Sequence, residues 1–277
     1  MKKIHSTAAV SPMANLGEDV EVGPGAIIED DVTVGDGTRI GPYSIIRQYT
    51  TLGRGNVVDA HVVLGGRPQD LKFRVEDKTY LRIGDENVFR EFVTISRANR
   101  PGGSTIVGSR TYLMTGVHVG HDSVVEDECI LVNSTVLAGH TTIGRGCVLS
   151  AFSGVHQFCW IGERVMCASH SGTTTHVPPF VMLDRGFNQI VGLNVVGMRR
   201  SGAAPQDRRQ VKEAFAITYR CGLSREKAIE RMDACTDWGE PARKFREFVR
   251  KVHQAVAPFN RALCGITRAA ASENPEE

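Results

Sequence analysis

The stretch LGEDVEVGPGAIIEDDVTVGDGTRIGPYSI, residues 16–45, carries an aliphatic residue every six places, at Leu16, Val22, Ile28, Val34 and Ile40. The register starts at Val10 and continues through Ile46, Leu52, Val58 and Leu64. It resumes at Ile83, Phe89 and Ile95, and again runs from Val107 to Cys167. Neither a 3.6-residue helix nor an alternating strand has period six, but a short strand plus a corner, three times per 18-residue coil, does. The 24 hexads predict eight coils of a parallel β-helix, an all-β solenoid on the order of 40 Å tall at about 4.8 Å per coil. In each hexad the aliphatic residue and the residue four places on point inward, so Cys129, Cys147 and Cys159 read as small core residues.

Two polar segments break the count, GRPQDLKFRVEDKTYLR (66–82) and ANRPGGSTI (98–106). Loops that leave a regular solenoid usually cover a site or a subunit boundary. After HVPPF (176–180) the period ends, and three helices are expected: QDRRQVKEAFAITYRC before Gly222, SREKAIERMDAC with Ser224 as N-cap, and PARKFREFVRKVHQAV with Pro241 in its first turn. The chain therefore divides into a β-helix over 1–200 and a C-terminal α-helical domain over 201–277.

A formal charge of +2 over 277 residues carries no global nucleic-acid footprint. No segment reaches the roughly 18 apolar residues of a membrane span, and the start MKKIHSTAAVSPMANL lacks the apolar run of a secretory signal. A cytoplasmic protein is expected. The seven cysteines contain no CxxC pair, which argues against a disulfide frame or a thiolate zinc site.

HVGHDSVVEDECILVNSTVLAGH (118–140) holds three of the nine histidines. Within their hexads His118 is sixth, His121 third, His140 fourth and His156 second, and none of these positions faces inward. His121, His140 and His156 recur at close to one coil each, so they are expected to stack in an outward strip. Such a strip fits a three-histidine metal site or an acid/base histidine flanked by substrate-binding neighbours. Asp122 would fix the tautomer of His121 in either case. Gly139 offers an unhindered N–H of the kind a developing oxyanion needs.

The same stretch, followed by VHQFCWIG and HVPPFVM, resembles the UDP-N-acetylglucosamine acyltransferases of lipid A biosynthesis, within the hexapeptide-repeat acyltransferases. The likeness extends to QDLKF in the first loop and GLNVVGMRRSG after the prism. It implies a left-handed coil, against the usual right-handed crossover, and a homotrimer with sites between prisms. It also implies transfer of a 3-hydroxyacyl chain from acyl carrier protein to the sugar 3-hydroxyl of a UDP-sugar, with no metal and no further cofactor. By this resemblance His121 is the general base, Asp122 stands behind it and the Gly139 N–H holds the oxyanion. His118, His140, His156 and Gln157 would line the substrate pocket, Asn194 and Arg200 the nucleotide end, and Asp70 and Lys72 the loop at the reaction centre. Met166 and Ser169 would measure the acyl chain.

The family usually has histidine at Ser96 and glutamate at Val196, which leaves open a different acceptor such as a 3-amino sugar nucleotide. Ser169 stands where glycine leaves room for a long chain, so a shorter or altered acyl group is expected. A zinc-dependent, carbonic-anhydrase-like β-helix is the competing chemistry. The arginines at 47, 54, 67, 74, 82, 90, 97, 100 and 110 suit the docking of an acidic carrier protein.

Overall fold

A computed structural model describes residues 2–272. Almost every hexad forms a two-residue strand, and each strand of the coiled part pairs in parallel with the third strand along the chain. Three sheets result, here called first, second and third in the order the chain visits them; they contain 12, 10 and 8 strands. Asn15–Leu16 pairs with Thr33–Val34, and His118–Val119 lies between Thr94–Ser96 and Val136–Leu137. Strands begin one hexad before Val10, at Lys3–Ile4.

Both inward positions of the hexad fill the prism. Leu52, Leu64, Leu113, Leu131 and Leu137 are fully buried at the first, and Val20, Val62, Val117 and Cys129 at the fifth. The intervening fourth residue turns the corner in the left-handed backbone region, at Asp122 (φ 57°), His140 (φ 60°) and Phe158 (φ 63°) among others. For an L-residue this costs roughly 1–2 kcal/mol, offset by the corner and ladder hydrogen bonds that each coil makes to the next. Cys129 and Cys147 donate to the carbonyls of Gly144 (3.2 Å) and Gly162 (3.0 Å).

The fifth position is not a stack of apolar groups alone. Thr38, Asn56, Asn87 and Thr111 form a buried polar ladder along one corner. Asn87 donates to Asn56 Oδ1 (3.0 Å) and to the Gly108 carbonyl (2.9 Å), and its Oδ1 accepts from both the N–H and the hydroxyl of Thr111. Asn87→Ala leaves several of these groups unpaired inside the prism and is expected to cost about 2–4 kcal/mol, read as a lowered denaturation midpoint.

The excursions are shorter than the sequence suggests, because Tyr80–Ile83 and Ser104–Val107 pair with each other as four-residue strands before the hexad register resumes. Helices follow at Val195–Arg200 (α1), Pro205–Tyr219 (α2), Arg225–Asp233 (α3), Glu240–His253 (α4) and Arg268–Ser272 (α5). Ser224 caps α3 as expected, and Ala242, Phe245, Val249 and Val252 are buried on α4, whereas Phe248 is half-buried. α1 and α5 were not anticipated. Lys244 on α4 is 2.9 Å from Glu163 of the prism. Among the described residues no helix is long and apolar enough to cross a membrane; residues 273–277 of the expected helical domain lie outside them.

Candidate active site

His121 and Asp122 turn the corner between the second and third sheets, where the side chains leave the prism. One coil on, Gly139 and His140 turn the same corner, and the His140 N–H donates to the His121 carbonyl (2.9 Å). The two imidazoles meet edge to face, with centroids 5.1 Å apart.

His121 Nδ1 lies 2.8 Å from Asp122 Oδ2, which also accepts the Asn99 N–H (2.8 Å). An ionised carboxylate only accepts, so Nδ1 carries the proton and Nε2 keeps its lone pair. That Nε2 lies over Gly139: a methyl group on Gly139 would stand 2.7 Å from it. Glycine is required here by close approach. Among the described residues the Gly139 N–H has no acceptor.

Asn99 was not read from sequence. Its Nδ2 donates to Asp70 Oδ2 (2.8 Å) while its N–H holds Asp122, so it ties the first excursion to the histidine. Asp70 Oδ1 accepts the Lys72 N–H (2.8 Å), and the Lys72 side chain is exposed. Thr105 accepts the Asp122 N–H (2.8 Å). Both excursions thus converge on the His121 corner.

The expected three-histidine strip does not form. Phe158, not His156, follows His140 in the stack, with centroids 4.7 Å apart. Position four of the hexad turns this corner and position two does not, so the one-coil spacing of His156 does not put it in line. Phe259 from the C-terminal segment then packs on Phe158 and Trp160, and buried His176 anchors it, with Nε2 donating to the Phe259 carbonyl (2.7 Å) and Nδ1 accepting from the Trp160 N–H (3.0 Å). His121, Asp122 and His140 present ligand atoms within 4.8 Å of one another, a spread a metal could use; Asp122 Oδ2 already accepts two hydrogen bonds.

His156 and Gln157 are exposed. His156 lines an apolar groove of about 450 Å³ along the second sheet with Val136, Phe152, Gly154, His170 and Phe187. Outward-facing Gly154 leaves part of its floor bare, whereas the Phe187 ring covers Gly172. His118, on the same sheet, bonds Thr94 (2.8 Å).

Other candidates lie elsewhere. Asn194 is buried and engaged as the N-cap of α1, accepting the Gly197 N–H and donating to the Arg164 carbonyl, both at 2.8 Å. Asn194 thereby lies at the edge between the third and first sheets, and exposed Arg200 ends α1. Met166 projects from the first sheet, and Ser169 sits at the corner between first and second. Within one chain these residues are not brought to His121. Ser96 is buried opposite Gly66, and Val196 is exposed. Of the nine arginines, Arg47, Arg54, Arg74, Arg90 and Arg110 are paired with carboxylates of this chain.

Burial lowers the pKa of His140, against the opposing charge of Asp122, and burial next to His121 lowers that of His118. Burial alone would raise the Asp122 carboxyl, but the hydrogen bonds from His121 and Asn99 outweigh it and hold it below its ordinary value. The unfolded chain therefore takes up protons below about pH 6.5 that folded His118 and His140 refuse. Stability is expected to be full above that pH and to fall as the pH drops below it. Thermal melts between pH 7.5 and 5.5 test this, and His140→Gln should flatten the slope.

Residues 176–257 match the family model for the second domain of UDP N-acetylglucosamine O-acyltransferase, and residues 13–48 match that for the bacterial transferase hexapeptide. The acyl-(acyl-carrier-protein)–UDP-N-acetylglucosamine O-acyltransferase of Thiobacillus denitrificans is 43% identical over 80% of this chain and 86% of its own. That of Pseudomonas entomophila is 35% identical over 97% and 100%. The UDP-N-acetylglucosamine acyltransferase of Bacteroides fragilis superposes with a TM-score of 0.85 at 33% identity, covering 95% of this chain and 99% of that one. For the Francisella novicida enzyme the TM-score is 0.88 at 28% identity, covering 98% and 99%. With its coils, its corner histidines and these relatives, the chain belongs to the UDP-N-acetylglucosamine O-acyltransferase family.

Proposed function

We propose that this protein transfers a 3-hydroxyacyl chain from acyl carrier protein to the 3-hydroxyl of UDP-N-acetylglucosamine, the first step of lipid A biosynthesis. The observation that carries the chemistry is the Nε2 of His121, oriented by Asp122 and adjacent to the N–H of Gly139, neither of which has a hydrogen-bond partner among the described residues. A sugar hydroxyl is a weak nucleophile at neutral pH and needs a base within hydrogen-bond reach. Nε2 takes the hydroxyl proton as the sugar oxygen bonds to the thioester carbon. The Gly139 N–H stabilises the tetrahedral oxyanion. The C–S bond then breaks, and the thiolate leaves with the proton from the imidazolium. No metal or other cofactor enters this scheme.

The separation of Asn194, Arg200, Met166 and Ser169 from His121 supports a site completed between copies. Head-to-tail contact of one copy's second–third edge with the next copy's first-sheet side closes as a ring, here a homotrimer of left-handed prisms. The groove on the second sheet suits the acyl chain, with His118, His140, His156 and Gln157 around it, while Asp70 and Lys72 approach from the loop and Arg200 pairs with phosphate. The division into a β-helix over 1–200 and a helical domain over 201–277 is retained, as is a cytoplasmic location.

The test is to incubate the protein with UDP-N-acetylglucosamine and 3-hydroxyacyl carrier proteins of several lengths and to weigh the products. Acylated sugar nucleotide is expected, with chains shorter than 14 carbons preferred because Ser169 narrows the end of the site; preference for a 14-carbon chain refutes the role of Ser169. No product with this sugar, but an amide with its 3-amino analogue, would reassign the acceptor.

A further inference from the structure

The His140 ring is held by other rings. Among the described residues its imidazole makes no hydrogen bond, and Nε2 stands 3.8 Å from Asp122 Oδ2. It crosses the His121 ring at 88° and lies nearly flat on Phe158, at 16°. Phe158 is itself half-buried at its corner and is supported by Phe259, at 87° with centroids 5.4 Å apart. Phe259 lies flat on Trp160 (5.4 Å, 15°), whose ring also stacks on His176 (4.4 Å).

Phe259 comes from outside the repeats, and His176 keeps it in place. His176 is fully buried and bonds the C-terminal segment three times: Nε2 donates to the Phe259 carbonyl (2.7 Å), its N–H donates to the Ala262 carbonyl (2.8 Å), and its carbonyl accepts the Cys264 N–H (2.7 Å). Nδ1 accepts the Trp160 N–H (3.0 Å), which only a neutral imidazole can do. Burial, with the charges of Lys251 on α4, Arg261 of the segment and Arg225 on α3, lowers its pKa against the Phe259 hydrogen bond and keeps it neutral. The acyl-transfer step uses neither His176 nor Phe259, yet their chain of support ends on the histidine pair. Reacting groups need such backing, because their geometry is only as precise as the side chains that lock it.

We propose that Phe259 is a positioning residue for the reaction: anchored by His176, it backs Phe158 against His140 and so holds the His140 ring against His121. The inference rests on the acyl-transfer reading, in which His121 is the base. Among the described residues the His121 ring is hydrogen-bonded at Nδ1 alone, so the His140 ring is what limits its sideways swing. Gly139, whose N–H faces the oxyanion in that reading, is the chain neighbour of His140. A tilt of His140 therefore disturbs the base and the oxyanion donor together, while the rest of the substrate pocket keeps its lining.

Phe259→Ala is expected to lower kcat about tenfold, with KM for both substrates within about twofold of wild type. Phe259→Tyr keeps the ring and is expected to retain wild-type turnover. A double-mutant cycle separates positioning from general damage: in a His140→Ala background, Phe259→Ala should change kcat by less than about twofold, because the group it acts through is gone. A crystal structure of Phe259→Ala needs no turnover; the His140 and Phe158 rings should leave their parallel stack or occupy two conformers, with the coils unmoved. Full kcat in Phe259→Ala overturns the proposal, as does an equal loss of kcat in both backgrounds or an unmoved His140 ring in that crystal structure. If wild type makes no acylated sugar nucleotide, the reaction reading fails, while the crystal structure still decides whether Phe259 sets the His140 ring.

Discussion

His121→Ala is expected to lower kcat on the order of a thousandfold with either substrate saturating, while KM for the sugar nucleotide and the melting temperature change little. The imidazole sits at a corner, outside the prism, so its removal leaves no cavity among the stacked aliphatic residues. What disappears is an interaction made only as the hydroxyl loses its proton, which lowers kcat and kcat/KM together. Asp122 acts through it. The short bond to Nδ1 fixes the tautomer, and the Asn99 N–H fixes Asp122. Product mass spectrometry against time, with wild type alongside, reads the effect; turnover within threefold of wild type would remove His121 from the mechanism.

Gly139→Ala is expected to cost roughly a hundredfold in kcat, consistent with a misplacement of about 1 Å at the reacting group. The added Cβ would lie 2.7 Å from Cε1 and Nε2 of His121 and 3.2 Å from Cδ2. The ring has to yield, and it is tethered at Nδ1. Gly139 does not have a left-handed φ, so alanine fits the backbone and stability should move by less than about 1 kcal/mol. Loss of activity together with loss of the fold would show that the position is structural instead.

Much of this site is invisible in the hexads because it is built by the parts of the chain that leave them. Asn99 and Asp70 come from two different excursions and meet across 29 residues. Phe259 reaches the histidine column from the C-terminal segment, held by His176 83 residues away in sequence. Such contacts have no period. The placement of His156 shows the same limit within the repeat: one-coil spacing identifies a neighbouring coil, but hexad position decides which way the side chain leaves the corner.

Period six by itself determined the coil, the inward column of aliphatic residues and the outward setting of His118, His121, His140 and His156, because each follows from a local rule repeated coil after coil. The adjacency of His121 and Asp122, read from sequence, is a contact between neighbours in the chain. Only the tertiary structure decided that Asn99 holds Asp122 behind His121, that Phe158 and not His156 stacks on His140, that Asn194 ties α1 to the Arg164 carbonyl, and that Arg97 is buried. Each depends on the distance between groups far apart in the chain, set by how the excursions and the C-terminal segment pack on the prism.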